Sequence, residues 1–253
     1  MLTFVGLGLY DERSITVAGR DALRDADRVF AEFYTSKLAG ASVADLEAYH
    51  DVDVEVRDRV GVERDPGPVL DAAAAGDAVF LTAGDPMVST THVDLRLRAH
   101  DRGIETRVVH GTTAQTAASS LTGLQNYRFG KATTLPFERA HGGEGVPDSV
   151  RATLDENRDR GLHTLVYLDI KADSGDYMSA DTAASLLVEG YRDVLAVAVC
   201  RAGSPDPTVR ADTLSVLAGE SFGPPLHLLV VPGDLHPLER EALVELADAP
   251  PDS

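Results

Sequence analysis

The chain has 253 residues, enough for one large or two modest domains. Its 43% hydrophobic and 25% charged residues form a globular composition that excludes a disordered or fibrous protein. Lys plus Arg number 23 against 41 Asp plus Glu, a net charge of −18, so nucleic acid is a poor partner. Leu2–Leu7 reads as a strand and Thr16–Ala26 as an amphipathic helix, with Arg28–Tyr34 the next strand. Val52–Val56 alternates with period two, the pattern of a half-exposed edge strand. Pro66–Ala75 reads as a helix with Asp65 as its cap and Gly76 as its stop. A buried strand at Ala78–Thr82, a helix at Thr91–Arg102 and a strand at Glu105–His110 follow. This order predicts an α/β layer structure with a largely parallel sheet.

The pattern changes near Gly111, and a boundary there divides the chain into α/β domains 1–111 and 112–253. Thr112–Leu121 is a short helix, and Lys131–Leu135 a strand inside the weakly periodic stretch Leu124–Gly145. Elements then resume at Asp148–Arg160, Thr164–Asp169, Ala180–Val188, Val194–Arg201, Thr208–Ala211, Leu214–Ala218 and Leu226–Val231. A last helix runs Pro237–Ala247, and the tail beyond Ala249 is expected to fray.

Only three lysines occur, Lys37, Lys131 and Lys171, against 20 arginines and 27 aspartates. Short carboxylates hold water and cations, whereas lysine stems expose alkyl surface, so the balance reads as adaptation to concentrated salt. An acidic mesophilic enzyme is the alternative. No apolar run approaches bilayer length, and the start MLTFVGLGLY lacks a basic signal region. A cytoplasmic setting without membrane contact is the expectation. The single cysteine, Cys200, leaves no disulfide framework and no cysteine metal site, and no metal is expected.

Three segments carry candidate chemistry. Gly6-Leu7-Gly8-Leu9 ends the first strand, where glycines let a backbone approach a ligand, although the spacing is not that of a dinucleotide loop. Ala83–Val88 follows a strand, at the carboxyl end where parallel α/β sheets bind ligands. Asp85 could offer its carboxylate to a cation or a sugar hydroxyl, or simply start a turn with Ser89 or Thr90 capping the next helix. His110-Gly111-Thr112-Thr113-Ala114 opens a helix, whose free N–H groups suit a polar ligand or need no more than a threonine cap. P-loop, nucleophile-elbow and zinc-hydrolase signatures are missing from the sequence. His92, His110, His227 and His236 flank element ends and read as structural hydrogen-bonders.

Taken in order, Phe4–Leu9, Ala83–His92 (AGDPMVSTTH), Val109–Gly111, Thr122–Gln125, Tyr167–Lys171, Arg201–Ser204 and Pro225–His227 resemble the diphthine synthases of the tetrapyrrole-methylase superfamily. The resemblance runs from Leu2 to about Leu246 and departs from the family at Glu138–Val146. It implies an α/β methyltransferase of two domains with S-adenosylmethionine in the cleft between them. The implied substrate is the amino group of the 3-carboxy-3-aminopropyl-histidine of translation elongation factor 2, and the implied product the trimethylated diphthine. It implies a homodimer, and cofactor contacts at Leu9, Asp85, Val88, Thr113, Ala114, Leu168, Ala202 and His227. Several of these are apolar, so contact through backbone and packing is expected. Methyl transfer to an amine depends mainly on alignment. No acid–base pair stands out, and no catalytic residue is assigned. Tyr10, Tyr127 and Phe129 are candidate aromatic faces for a growing trimethylammonium, or ordinary packing. A sister tetrapyrrole or ribosomal-RNA methyltransferase, or a non-catalytic adenine-ligand-binding module, remains the alternative.

Overall fold

In a computed structural model, residues 1–138 and 145–251 are described, and the chain divides into two compact units. The first comprises Met1–Thr113 with Ala172–Ser174, and the second Ala114–Lys171 with Gly175–Ser253.

The first unit alternates strand and helix: β1 (Leu2–Gly6), α1 (Val17–Arg24), β2 (Arg28–Glu32), α2 (Val43–His50), β3 (Val54–Val56), α3 (Arg59–Glu63), α4 (Gly67–Ala75), β4 (Ala78–Thr82), α5 (Val93–Asp101) and β5 (Thr106–Val109). The sheet has the order β3-β2-β4-β1-β5, and every pairing is parallel. β1 and β4 are buried along their whole length, as parallel strands covered on both faces must be. Alternate residues serve opposite faces. Leu2, Phe4, Phe30 and Phe80 pack with α3, α4 and α5, whereas Val5, Val29, Ala31, Val79 and Leu81 pack with α1 and α2. From β1 the chain winds through α1 and α2 toward β3, then returns through α4 and α5 toward β5. The winding therefore reverses around the β4–β1 pair, which is a topological switch point.

Two local readings are corrected. Asp65 does not cap α4: the cap position is Pro66, with no side-chain hydrogen bond, and the Asp65 N–H bonds to Val60 O instead. α2 and α3 were not expected. Each carries its own side-chain cap, from Ser42 with Asp45 in a reciprocal box and from Asp58 to the Gly61 N–H.

The second unit contains α6 (Ala114–Thr122), β6 (Thr133–Leu135), α7 (Asp148–Asp159), β7 (Thr164–Leu168), a small hairpin of β8 (Ile170–Lys171) and β9 (Asp176–Tyr177), α8 (Ala180–Tyr191), β10 (Leu195–Cys200), β11 (Thr208–Thr213), α9 (Leu214–Leu217), β12 (His227–Val231) and α10 (Pro237–Ala247). Its main sheet, β11-β10-β12-β7-β6, is mixed: only β6–β7 is parallel, and the other pairings are antiparallel. The physical reason lies in the connections. β10 reaches β11 through a short loop rather than a helical crossover, and such a link permits only antiparallel neighbours. α7, α8 and α9 cover one face, α6 and α10 the other. Most of the Glu138–Val146 segment, and the last two residues of the tail, lie outside the described residues.

Candidate functional site

The carboxyl ends of β1, β4 and β5 meet at three glycines. A Cβ built on Gly6 would stand 2.5 Å from both the Gly111 nitrogen and the Gly84 oxygen, and one on Gly111 would strike the Gly84 carbonyl. Gly8 and Gly84 exchange backbone hydrogen bonds, Gly84 N–H to Gly8 O at 2.7 Å and Gly8 N–H to Gly84 O at 3.2 Å. Gly84 takes φ +74°, and the direction in which a side chain would project is open. The switch point thus ends in bare backbone with an open flank. Leu9 is half-buried just beyond this join, and Thr113 half-buried beyond β5.

Asp85 is 4% exposed, and both carboxylate oxygens are occupied. Oδ1 accepts from the Met87 N–H at 2.9 Å. Oδ2 accepts from His110 Nδ1–H at 2.8 Å and from the Gly111 N–H at 3.3 Å. The carboxylate therefore ties the loop after β4 to the loop after β5, which differs from a carboxylate held out to a cation or sugar. Ser89 and Thr90 do not cap α5, whose cap position is His92. Instead Pro86 O accepts from the Thr90 hydroxyl at 2.7 Å and from His92 Nδ1–H at 3.0 Å. His92 Nε2 stands 3.5 Å from Glu32 Oε1, with both side chains fully buried. Burial holds the His92 imidazole below its ordinary pKa against the pull of Glu32. The segment AGDPMVSTTH is thus a self-bonded loop, and Val88 on it is 38% exposed. Sequence reasoning did not find the Pro86–Thr90–His92 brace. Its signal was a hydroxyl and an imidazole four and six positions after a residue whose carbonyl turns back into the loop.

In the second unit the register gathers three expected residues at one end of the sheet. Cys200 pairs with His227, and Tyr167 with Leu228, so Ala202, His227 and Leu168 lie beyond or at the same edge. Leu168 points its side chain into the α7–α8 cluster, whereas Ala202 and Ala114 pack on the α6–α10 side. His227 Nδ1 accepts from the Ala180 N–H at 3.1 Å at the start of α8, which requires Nε2–H; Nε2 then donates to Pro224 O at 2.9 Å. Burial keeps this ring neutral by lowering its pKa. Arg201 knots the same loops, with Nη1 donating to Phe222 O and Pro224 O and Nη2 to the Thr208 hydroxyl. Of the candidate aromatics, Phe129 packs in the α6–α10 cluster edge-on to His163, Tyr127 is 80% exposed, and Tyr10 is covered on its ring by Gly40. Among the described residues, no group of three or more His, Cys, Asp or Glu is placed to hold a metal ion, and no helix is long and apolar enough to cross a membrane.

The family model for tetrapyrrole (corrin/porphyrin) methylases matches residues 1–218. Diphthine synthase from Natronomonas pharaonis is 71% identical over 259 aligned residues, covering 99% of this chain and 97% of that one. The chain belongs to the diphthine synthases. Diphthine synthase from Haloarcula marismortui is 69% identical, covering 98% of this chain and 99% of its own. A diphthine synthase crystal structure superposes with a TM-score of 0.92 at 38% identity, covering 99% of this chain and 97% of the other. The protein is accordingly an enzyme, a methyltransferase of diphthamide biosynthesis that draws its methyl group from a donor molecule. Its high-identity relatives come mostly from halophilic archaea.

Proposed function

We propose that the enzyme uses S-adenosylmethionine to trimethylate the amino group of the 3-carboxy-3-aminopropyl-histidine of elongation factor 2, giving diphthine. One observation carries the reading: in a chain of this family, the glycine junction of β1, β4 and β5 leaves open backbone at the switch point. A ligand with a flat purine, and a methionine arm whose ammonium and carboxylate can meet backbone C=O and N–H groups, fits such a wall. Gly84 leaves its flank clear, and the partly exposed Val88 offers apolar contact. When bound, the donor supplies an electrophilic methyl on a sulfonium.

In the first unit, Leu9, Val88 and Thr113 contact the donor directly, while Asp85 shapes the loop that meets it. In the second unit, Ala114, Leu168 and Ala202 contribute through backbone and packing. His227 contributes by holding the start of α8, because both its ring nitrogens are engaged. Alignment then supplies most of the acceleration. A homodimer and a cytoplasmic setting belong to the same reading.

Intact-mass measurement tests it. Incubated in molar KCl with S-adenosylmethionine and a factor carrying the aminocarboxypropyl-histidine, the enzyme should raise the factor's mass by three methyl groups. Replacing the target histidine should abolish the gain. Methylation of a tetrapyrrole or ribosomal RNA in its place would move the chain to a sister activity, and donor binding without transfer would leave a non-catalytic module.

A further inference from the structure

We propose that His110 is the proton acceptor for the substrate amine, positioned for that task by Asp85; the proposal rests on the amine-methylating reading above. An amine attacks a methyl sulfonium only as the free base, so each cycle must first remove a proton. His92, buried at the same end of the first unit, has no exposed nitrogen with which to meet a substrate. His110 differs. Its side chain is 76% exposed while its Asp85 partner is 3% exposed.

The carboxylate accepts and cannot donate, so His110 Nδ1 carries the proton of the 2.8 Å bond. In the neutral ring Nε2 is then a bare acceptor. Asp85 is itself held from turning, because Met87 N–H fixes Oδ1 and Gly111 N–H shares Oδ2. A buried carboxylate so arranged sets the tautomer of an imidazole and stabilises the imidazolium once it forms. Gly111, next in sequence, is part of the glycine junction, so the ring stands at the carboxyl edge where the donor is expected.

The step balances as follows. The substrate ammonium gives one N–H proton to Nε2. The nitrogen lone pair forms the new N–C bond while the C–S bonding pair returns to sulfur, leaving a thioether. His110 releases its proton to water before the next cycle. Mono- and dimethylammonium products still carry an N–H proton and can repeat the sequence. The quaternary product carries none, and the reaction stops.

Two measurements decide it. Long-range proton–nitrogen spectra of histidine-labelled protein in molar KCl, with His110 assigned by the His110→Gln variant, should show Nδ1 protonated and Nε2 bare, and Asp85→Asn should disturb that tautomer. In single-turnover assays, His110→Ala and His110→Gln should lower the methyl-transfer rate by roughly 10²–10⁴-fold with donor affinity by calorimetry unchanged. Added imidazole should partly restore His110→Ala. A protonated Nε2, an unchanged rate, or a loss that follows donor affinity and resists imidazole would each overturn the proposal. A wild-type enzyme that leaves the modified factor unmethylated would overturn the substrate reading instead. The tautomer measurement, which needs no substrate, still decides the pair.

Discussion

Gly6, Gly84 and Gly111 show what one hydrogen in place of a side chain permits. In the sequence they are scattered: a GLG at a strand end, a GDP triplet and an HG dipeptide, each as compatible with a plain turn as with a ligand. In the structure they are one junction, and the atoms a Cβ would strike at Gly111 are backbone atoms of Gly84 and Gly6. Backbone cannot step aside as a flexible side chain can. Gly111→Ala should therefore destabilise the protein by about 1–3 kcal/mol, the usual cost of overpacking, and weaken donor binding with it. Denaturant midpoints in molar KCl, with calorimetry on the same sample, check this; a wild-type midpoint would mean the junction yields more easily than its geometry says. Asp85 was visible as a residue but not as a bond. Its three donors come from residues two, 25 and 26 positions away, and only the nearest could have been read as a turn.

Among the elements, α10 and α2 mark the two extremes. α10 begins where the sequence places it, at Pro237, because proline at the first turn and a Glu239 box with His236 leave little choice. α2 escaped notice because its apolar residues follow no clean helical stripe, although Ser42 and Asp45 at box spacing announced its start. Glu239 does more than cap. Fully buried, it accepts from Gln125 N–H, His236 N–H, Arg128 and His163 Nε2–H, joining α10 to the turn after α6 and the start of β7. Burial pushes its carboxyl up, but the donated hydrogen bonds prevail and hold it below its ordinary value.

The histidines packed between elements give a pH prediction. Burial lowers the pKa of His92, His163 and His227 below the ordinary 6.5. Below 6.5 the unfolded chain binds protons that the folded chain refuses, so stability is full above that pH. It falls as pH drops from 6.5 through the folded values, at up to about 1.4 kcal/mol per pH unit for each histidine. Glu239 adds a loss of the same sign below its ordinary 4.5. Denaturant titrations at constant salt should show midpoints level from pH 8 to 7 and declining below 6.5; a flat profile to pH 5 would show that these rings admit protons while folded.

For the whole molecule the controlling quantity is charge. A surface supplied by 27 aspartates and three lysines repels itself when unscreened. At molar salt the Debye length contracts to about 3 Å, and that repulsion is confined to near neighbours. The folded state should therefore be lost as salt is withdrawn. Circular-dichroism melts in dilute buffer and in molar KCl compare the two conditions; coincident curves would remove self-repulsion as the reason for the composition.

Composition, period and caps act locally, and what they control could be read directly from the sequence: most strands and helices, the acidic surface, and the ordered motifs that mark a diphthine synthase. β1 and β4 were legible because a strand buried on both faces reads as a short, nearly continuous apolar run, interrupted here only by a threonine in each, Thr3 and Thr82. The mixed sheet of the second unit was not, since strand direction depends on which neighbour a loop can reach after folding. Nor was the work of Asp85 and His227 legible. A hydrogen bond across 25 or 47 residues leaves no spacing in the chain; it exists only once separate element ends have been brought side by side, and in the first unit that juxtaposition gathers scattered glycines, Asp85 and His110 into a candidate site.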